Sequence, residues 1–157
     1  MRALLQLLFI SALVLGLPAA AKITPWSLNR FVNSSVLVIV AKVERVEPTG
    51  LRDQGFEELK VRVAIERVLK GYAESEAAFF TLRSAPEFPR FEAGQRCLLF
   101  ISHFDGKLWI TQGANGKIVI DGEAARDVYM IDEPETQSLG GLIMKIERAI
   151  ARGAVQR

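Results

Sequence analysis

A chain of 157 residues has room for one domain with a sizeable core, and not for two domains of ordinary size. Half of its residues are hydrophobic and 24% are charged, the balance of a globular protein rather than a disordered one. Its formal net charge is only +2, with both signs interspersed, which argues against an electrostatic nucleic-acid partner; one cysteine rules out an intramolecular disulfide.

Met1-Arg2 supplies one positive charge, Ala3 to Leu17 is nearly all apolar, and Pro18 precedes Ala19-Ala20-Ala21. A short basic start, an apolar run and small residues before a cleavage point predict a secretory signal peptide over residues 1–21, with Lys22 as the first mature residue. The competing reading is an uncleaved N-terminal membrane anchor, for which the apolar run is short and interrupted by Pro18. No cysteine follows the run, so a lipoprotein anchor is excluded. Arg2 is the leader's only charge, so its removal lowers the net charge from +2 to +1. Localisation is expected to be periplasmic or secreted, with no stable membrane span after cleavage.

In the mature chain, residues 22–157, Thr24-Pro25 reads as an N-cap followed by proline at the first helical position. Trp26, Leu28, Phe31 and Val32 then form the apolar face of a short helix ending near Asn33-Ser34. "SVLVIVAKVERVE", residues 35–47, is dense in β-branched residues. It predicts a strand that is covered on both faces from Val36 to Ala41. Val46 breaks the alternation, which places a bulge or strong twist near Glu44-Arg45. Residues 48–55 read as a turn-rich loop.

"FEELKVRVAIERVLKG", residues 56–71, alternates Leu59, Val61, Val63 and Ile65 with Glu58, Lys60, Arg62 and Ala64. That is a strand with one solvated face. "AAFFTLRS", residues 77–84, predicts a third strand, and Pro86 and Pro89 an irregular stretch closed by Ala93-Gly94.

The next strand, residues 95–104, carries the chain's only cysteine and only histidine. Cys97, Leu99, Ile101 and His103 share one face; Leu98, Phe100, Ser102 and Phe104 share the other. Asp105-Gly106 between alternating apolar runs is a two-residue hairpin signal. It sets Ile101 opposite Ile110, His103 opposite Leu108 and Ser102 opposite Trp109. Six residues of extended chain hold Cys97 and His103 roughly 20 Å apart, whereas a nucleophile and its base must approach to about 3 Å. The pair is no dyad. Cys97 reads as a small buried hydrophobe, Asp105 and Gly106 as structural turn residues, and His103 as a strand-end surface residue without ligand partners for zinc.

Gly113-Ala114-Asn115-Gly116 reads as a turn; it lacks the lysine and helix of a phosphate loop. "KIVID", residues 117–121, and "RDVYMI", residues 126–131, predict short strands around Asp121-Gly122, and Pro134 ends the β region. Ser138 caps a final helix over about residues 138–152. Its stripe is Leu139, Leu142, Ile143, Ile146 and Ile150, its polar side carries Lys145, Arg148 and Arg152, and Gly153 is the expected stop. The stripe is aliphatic, so packing on the sheet is expected in preference to membrane binding.

These elements predict a mainly β fold: a small, OB-like, partly closed barrel with a short N-terminal helix and an amphipathic C-terminal helix. "SVLVIVAKVERVE", "KVRVAIERVLKG" and "FEAGQRCLLFI", in that order, resemble the netrin-like domain. That is the OB-type barrel of the tissue inhibitors of metalloproteinases and of small exported bacterial relatives. The resemblance covers about Ser34 to Ile120, and it implies a fold rather than an activity. The inhibitors reach a protease zinc through an N-terminal cysteine. This chain would begin at Lys22 and lacks both that cysteine and the family's disulfides, so the inhibitory wedge does not carry over. Cys97 stands where the bacterial pattern often has tyrosine.

No catalytic residue, metal site or cofactor is expected. Asp53, Glu57, Glu58, His103 and Asp105 are scattered and fit turns or solvated faces. The function expected is that of an exported, non-enzymatic binding module with an extracytoplasmic protein as partner. Its candidate interaction surface is Phe100, Phe104 and Trp109, unless the helix carrying Trp26 and Phe31 covers it. The alternatives are an envelope structural or assembly component, dimerising through Cys97, and a hydrolase with an unrecognised site.

Overall fold

The computed structural model describes residues 25–85 and 87–155. The expected leader, the Thr24 cap and Pro86 lie outside the described residues. The chain order is α1 (Leu28–Ser34), β1 (Leu37–Asp53), β2 (Phe56–Lys70), β3 (Glu76–Leu82), β4 (Arg96–Phe104), β5 (Lys107–Ile110), a 3-10 turn (Gly113–Gly116), β6 (Lys117–Asp121), β7 (Ala124–Arg126), β8 (Gln137–Ser138) and α2 (Leu139–Val155).

The fold is mainly β. Among the described residues, eight strands join one sheet, ordered β1-β2-β3-β5-β4-β6-β7-β8, and a further β1–β4 pairing bends five of them into a ring. Neighbours in the ring are antiparallel except β3 and β5, which run parallel through one bridge, Phe80 to Trp109.

β1 explains how the ring divides the core. Leu37, Ile39, Ala41 and Val43 join Val61, Val63, Phe79, Cys97, Leu99, Ile101 and Ile110 inside it. Val38 and Val40 point outward to Leu98, Phe100, Ile118 and the apolar faces of both helices. The expected two-sided burial holds from Leu37 to Ala41, because the ring fills one face and the helices cover the other; Val36, expected to be covered as well, precedes the strand and is 48% exposed.

The expected bulge near Glu44-Arg45 is present: Val43 pairs with Val63 and Arg45 with Arg62, which leaves Glu44 as the extra residue. The loop expected over 48–55 is corrected. Pro48 pairs with Leu59 and Arg52 with Glu57, so Thr49 to Leu51 form a further irregularity and the hairpin continues to Asp53 and Phe56. Gly50 takes a positive φ there, and Thr49 Oγ1 ties the bulge by donating to the Glu58 carbonyl at 3.3 Å and accepting from the Leu51 N–H at 3.2 Å. The turn is only Gln54-Gly55, both at positive φ (46° and 85°). The turn-forming residues make a bulge and a tight turn rather than a loop.

The DG hairpin and its register follow the expectation residue by residue: Ile101 with Ile110, Ser102 with Trp109, His103 with Leu108. The strand expected over 126–131 is corrected. Only Ala124–Arg126 pairs, because Asp127 turns the chain at φ 59°. Val128 and Met130 still point into the core and Tyr129 and Ile131 out of it, so the alternation persists without a ladder.

Both helix ends also differ from expectation. Ser27 caps α1, its Oγ accepting from the Arg30 N–H at 3.3 Å, and Pro25 precedes the helix rather than opening it. The Leu28 N–H instead finds the Asp132 carboxylate at 2.8 Å. At the other end of α1, the Lys70 ammonium donates to the Val32 and Ser35 carbonyls, each at 2.5 Å, as suits the negative end of a helix. Ser138 does cap α2, accepting from the Gly141 N–H at 3.2 Å. Gly153 does not stop it: the helix runs to Val155. A Cβ at Gly153 would lie 2.9 Å from Asn33 Oδ1, so this glycine serves the close approach of α1.

Candidate functional site

Strand β4 changes character along its length, and that change creates the site. Phe100 is fully buried. Phe31 of α1 lies on it with ring centroids 5.4 Å apart, and Trp26 stacks behind Phe31 at the same distance. Phe100 is therefore removed from the candidate surface: the N-terminal helix covers it. Phe104, four residues on, projects roughly 13 Å further along the strand. It lies beyond the helix and is 71% exposed.

Trp109 sits between these extremes, half-buried. Its ring meets Phe80 at 5.9 Å and Phe88 at 6.4 Å. Lys107 braces this cluster. Its ammonium lies 4.7 Å from the Phe80 ring centre and bonds both oxygens of Glu58, at 3.0 and 2.8 Å. The alternation of β2 puts Glu58 on a solvated face, and the structure corrects this. Glu58 is 4% exposed, and its carboxylate tolerates burial because Lys107 comes to it.

Around Trp109 the ring end forms a groove of about 340 Å³. Phe104, Phe88 and Trp109 supply apolar walls; Asp53, Gln54, Ser102 and Gln112 supply polar edges. The tips of two hairpins meet here, Asp53-Gln54 from β1–β2 and Phe104 from β4–β5. Gln54 and Gln112 both hold left-handed backbone, at φ 46° and 45°, a conformation that costs a non-glycine residue about 1–2 kcal/mol. Trp109 Nε1 and Gln112 Oε1 are buried with no hydrogen-bond partner among the described residues. The Asp53 carboxylate has no ion-pair or hydrogen-bond partner among them either.

The other residues singled out from sequence do not converge. Cys97 is fully buried inside the ring while His103, on the same strand, is exposed past its end. Burial pushes the Cys97 thiol up to about 11, with Lys117 pulling weakly the other way. Glu57 pairs with Arg83 at 3.1 Å, and Asp105 and Gly106 form the hairpin turn at φ 48° and 73°. No group of three histidine, cysteine, aspartate or glutamate side chains is placed to hold a metal ion among the described residues. No helix among them is long and apolar enough to cross a membrane.

Sequence reasoning missed Gln54, Phe80, Phe88 and Gln112. The signal available was chemical. A two-residue β-turn ordinarily carries asparagine or aspartate before its glycine, and Gln54 stands there instead. No protein-family description matches this chain, and no curated protein matches it significantly.

Proposed function

We propose that this chain is a non-enzymatic binding module acting outside the cytoplasm, and that it engages an extracytoplasmic protein through the groove between Phe104 and Trp109. The observation that carries the reading is Phe104. A phenylalanine 71% exposed, beside a half-buried tryptophan and at the rim of a groove, is the arrangement of an interface anchor. Scattered single exposed apolar residues need no such account. The dispersal of Cys97, His103 and the carboxylates supports the non-enzymatic part of the reading.

In the same reading the fold is an OB-like, netrin-like barrel. The ring order β1-β2-β3-β5-β4-β1, with β3 and β5 parallel, supports it, and the β1–β2 and β4–β5 tips are where OB folds commonly bind. The apolar N-terminal run and Ala19 to Ala21 support export with cleavage before Lys22. N-terminal sequencing of the exported protein reads the cleavage point directly. The alternative of a disulfide-linked assembly component loses support from the depth of Cys97.

The test is a comparative capture. The mature chain and its Phe104→Ala variant are immobilised and exposed to the extracytoplasmic fraction of the source cells. Retention of a partner by the wild type, and its loss with Phe104→Ala, is the expected result. A partner retained equally by both removes the groove from the reading.

A further inference from the structure

The groove's functional groups narrow the chemistry of what it takes. We infer that it binds a neutral, polyhydroxylated ligand, a short saccharide, either free or carried on a partner protein; this rests on the reading of the groove as the binding site.

The first argument is charge. The lining among the described residues includes no lysine, arginine or histidine, and its one charged group is the unpaired Asp53 carboxylate. An anionic ligand such as a nucleotide or a phosphate would meet the Asp53 carboxylate with no cation in the lining to offset it. The second is hydrogen-bond polarity. Gln54 and Ser102 each offer both functions, and Asp53 only accepts. A hydroxyl donates and accepts, so a polyol meets every one of these groups. An ammonium or guanidinium ligand only donates and would leave the donors of Gln54 and Ser102 unmatched.

The third argument is shape. Phe104 and Trp109 line the same groove, and aromatic rings suit the C–H faces of a pyranose. A volume of about 340 Å³ lies at the small end of ligand sites, which suits a mono- or disaccharide unit. The left-handed Gln54 and Gln112 fit this picture, since local strain persists where side-chain placement is used.

The experiment probes the full mature chain with an array of neutral, acidic and amino-substituted oligosaccharides. Hits are then titrated by calorimetry and tryptophan fluorescence. Expected is retention on one or more neutral saccharides, weakened about tenfold by Phe104→Ala and several-fold by Gln112→Ala, with acidic saccharides not retained. Phe104 is exposed, so its variant keeps the fold, and urea denaturation checks this.

Deglycosylation of any captured partner separates the two sources: loss of capture assigns a protein-borne glycan, persistence with array binding a free one. No retention on any neutral saccharide overturns the inference, as does binding that Phe104→Ala leaves unchanged. Preferential binding of arginine-rich peptides or tetramethylammonium, abolished by Asp53→Asn, overturns it in favour of a cation. If protein capture depends on Phe104 and no saccharide binds, the groove reading stands and the saccharide falls. If neither depends on Phe104, both fall.

Discussion

Phe31 and Phe100 meet with ring centroids 5.4 Å apart and planes inclined at 53°. This contact locks α1 onto the outer face of β4 and decides which aromatics remain available for binding. Both rings are fully buried, so truncation leaves a cavity that rigid strands cannot fill. Phe31→Ala is expected to cost about 3–5 kcal/mol, read as a lower urea midpoint at unchanged slope. Phe104→Ala, on the same strand as Phe100 but exposed, is expected to change stability by no more than about 0.5 kcal/mol. Equal losses for the two variants would contradict the division of β4 into a covered and a free half.

The Glu58–Lys107 pair yields an asymmetric prediction. The Glu58 side chain is 6% exposed and that of Lys107 36%. Removing the lysine strands a carboxylate in the protein, whereas removing the carboxylate lets the ammonium turn to water. Lys107→Ala also loses the contact with Phe80, worth about 0.5–1 kcal/mol. Lys107→Ala is therefore expected to cost about 3 kcal/mol and Glu58→Ala about 1–2 kcal/mol. The double variant should cost less than the two together, and a double-mutant cycle by urea denaturation reads all three.

How far the sequence discloses this molecule depends on the range of the interactions. The β4–β5 hairpin is local: two residues of turn chemistry set the register of Ile101, Ser102 and His103 against β5, so it was readable in full. The stripe of α2 was readable for the same reason. The 48–55 segment was not, because the same glycine and proline signals fit a loop or a bulge, and only pairing with β2 decides. Phe100 and Phe104 are the same residue type on the same strand face. Their different fates depend on where α1 ends, which no pattern within β4 encodes. Phe80 and Phe88 reach Trp109 from elements far apart in the chain, so this half of the candidate site became visible only in three dimensions.

Two glycines separate close approach from mere permissiveness. Gly113 has φ +55°, and a Cβ there would come within 1.7 Å of the Glu87 carbonyl oxygen. Gly113→Ala must displace the segment that carries Phe88, so a loss of more than about 2 kcal/mol is expected. It should come with a changed Trp109 environment in near-ultraviolet circular dichroism. Gly140, in the first turn of α2, has no positive φ, and a Cβ there would meet nothing within 4 Å. Gly140→Ala is expected to stabilise by about 0.5–1 kcal/mol, read as a raised Tm.

The Cys97 thiol makes stability depend on alkaline pH in a direction that can be worked out. Burial raises its pKa from 9.0 in the unfolded chain to about 11 in the fold. Between those values the unfolded state has released the proton and the folded state retains it. The unfolded state thus binds fewer protons, and stability falls as pH rises from about 9, levelling off above about 11. A two-unit difference corresponds to about 3 kcal/mol over the full window. Lys117, whose ammonium is pushed below 10.5 chiefly by burial, acts in the opposite sense: its unfolded state binds more protons, so its contribution improves as pH rises through its folded pKa. The wild-type curve alone mixes the two effects, and the difference between wild type and Cys97→Ala reads the thiol together with its coupling to Lys117. Expected is a wild-type advantage at about pH 8, from the sulfur's packing, that shrinks and then reverses towards about pH 11. Urea denaturation at intervals across that range reads it; curves that stay parallel would show that the thiol does not titrate between fold and unfolded chain in this way.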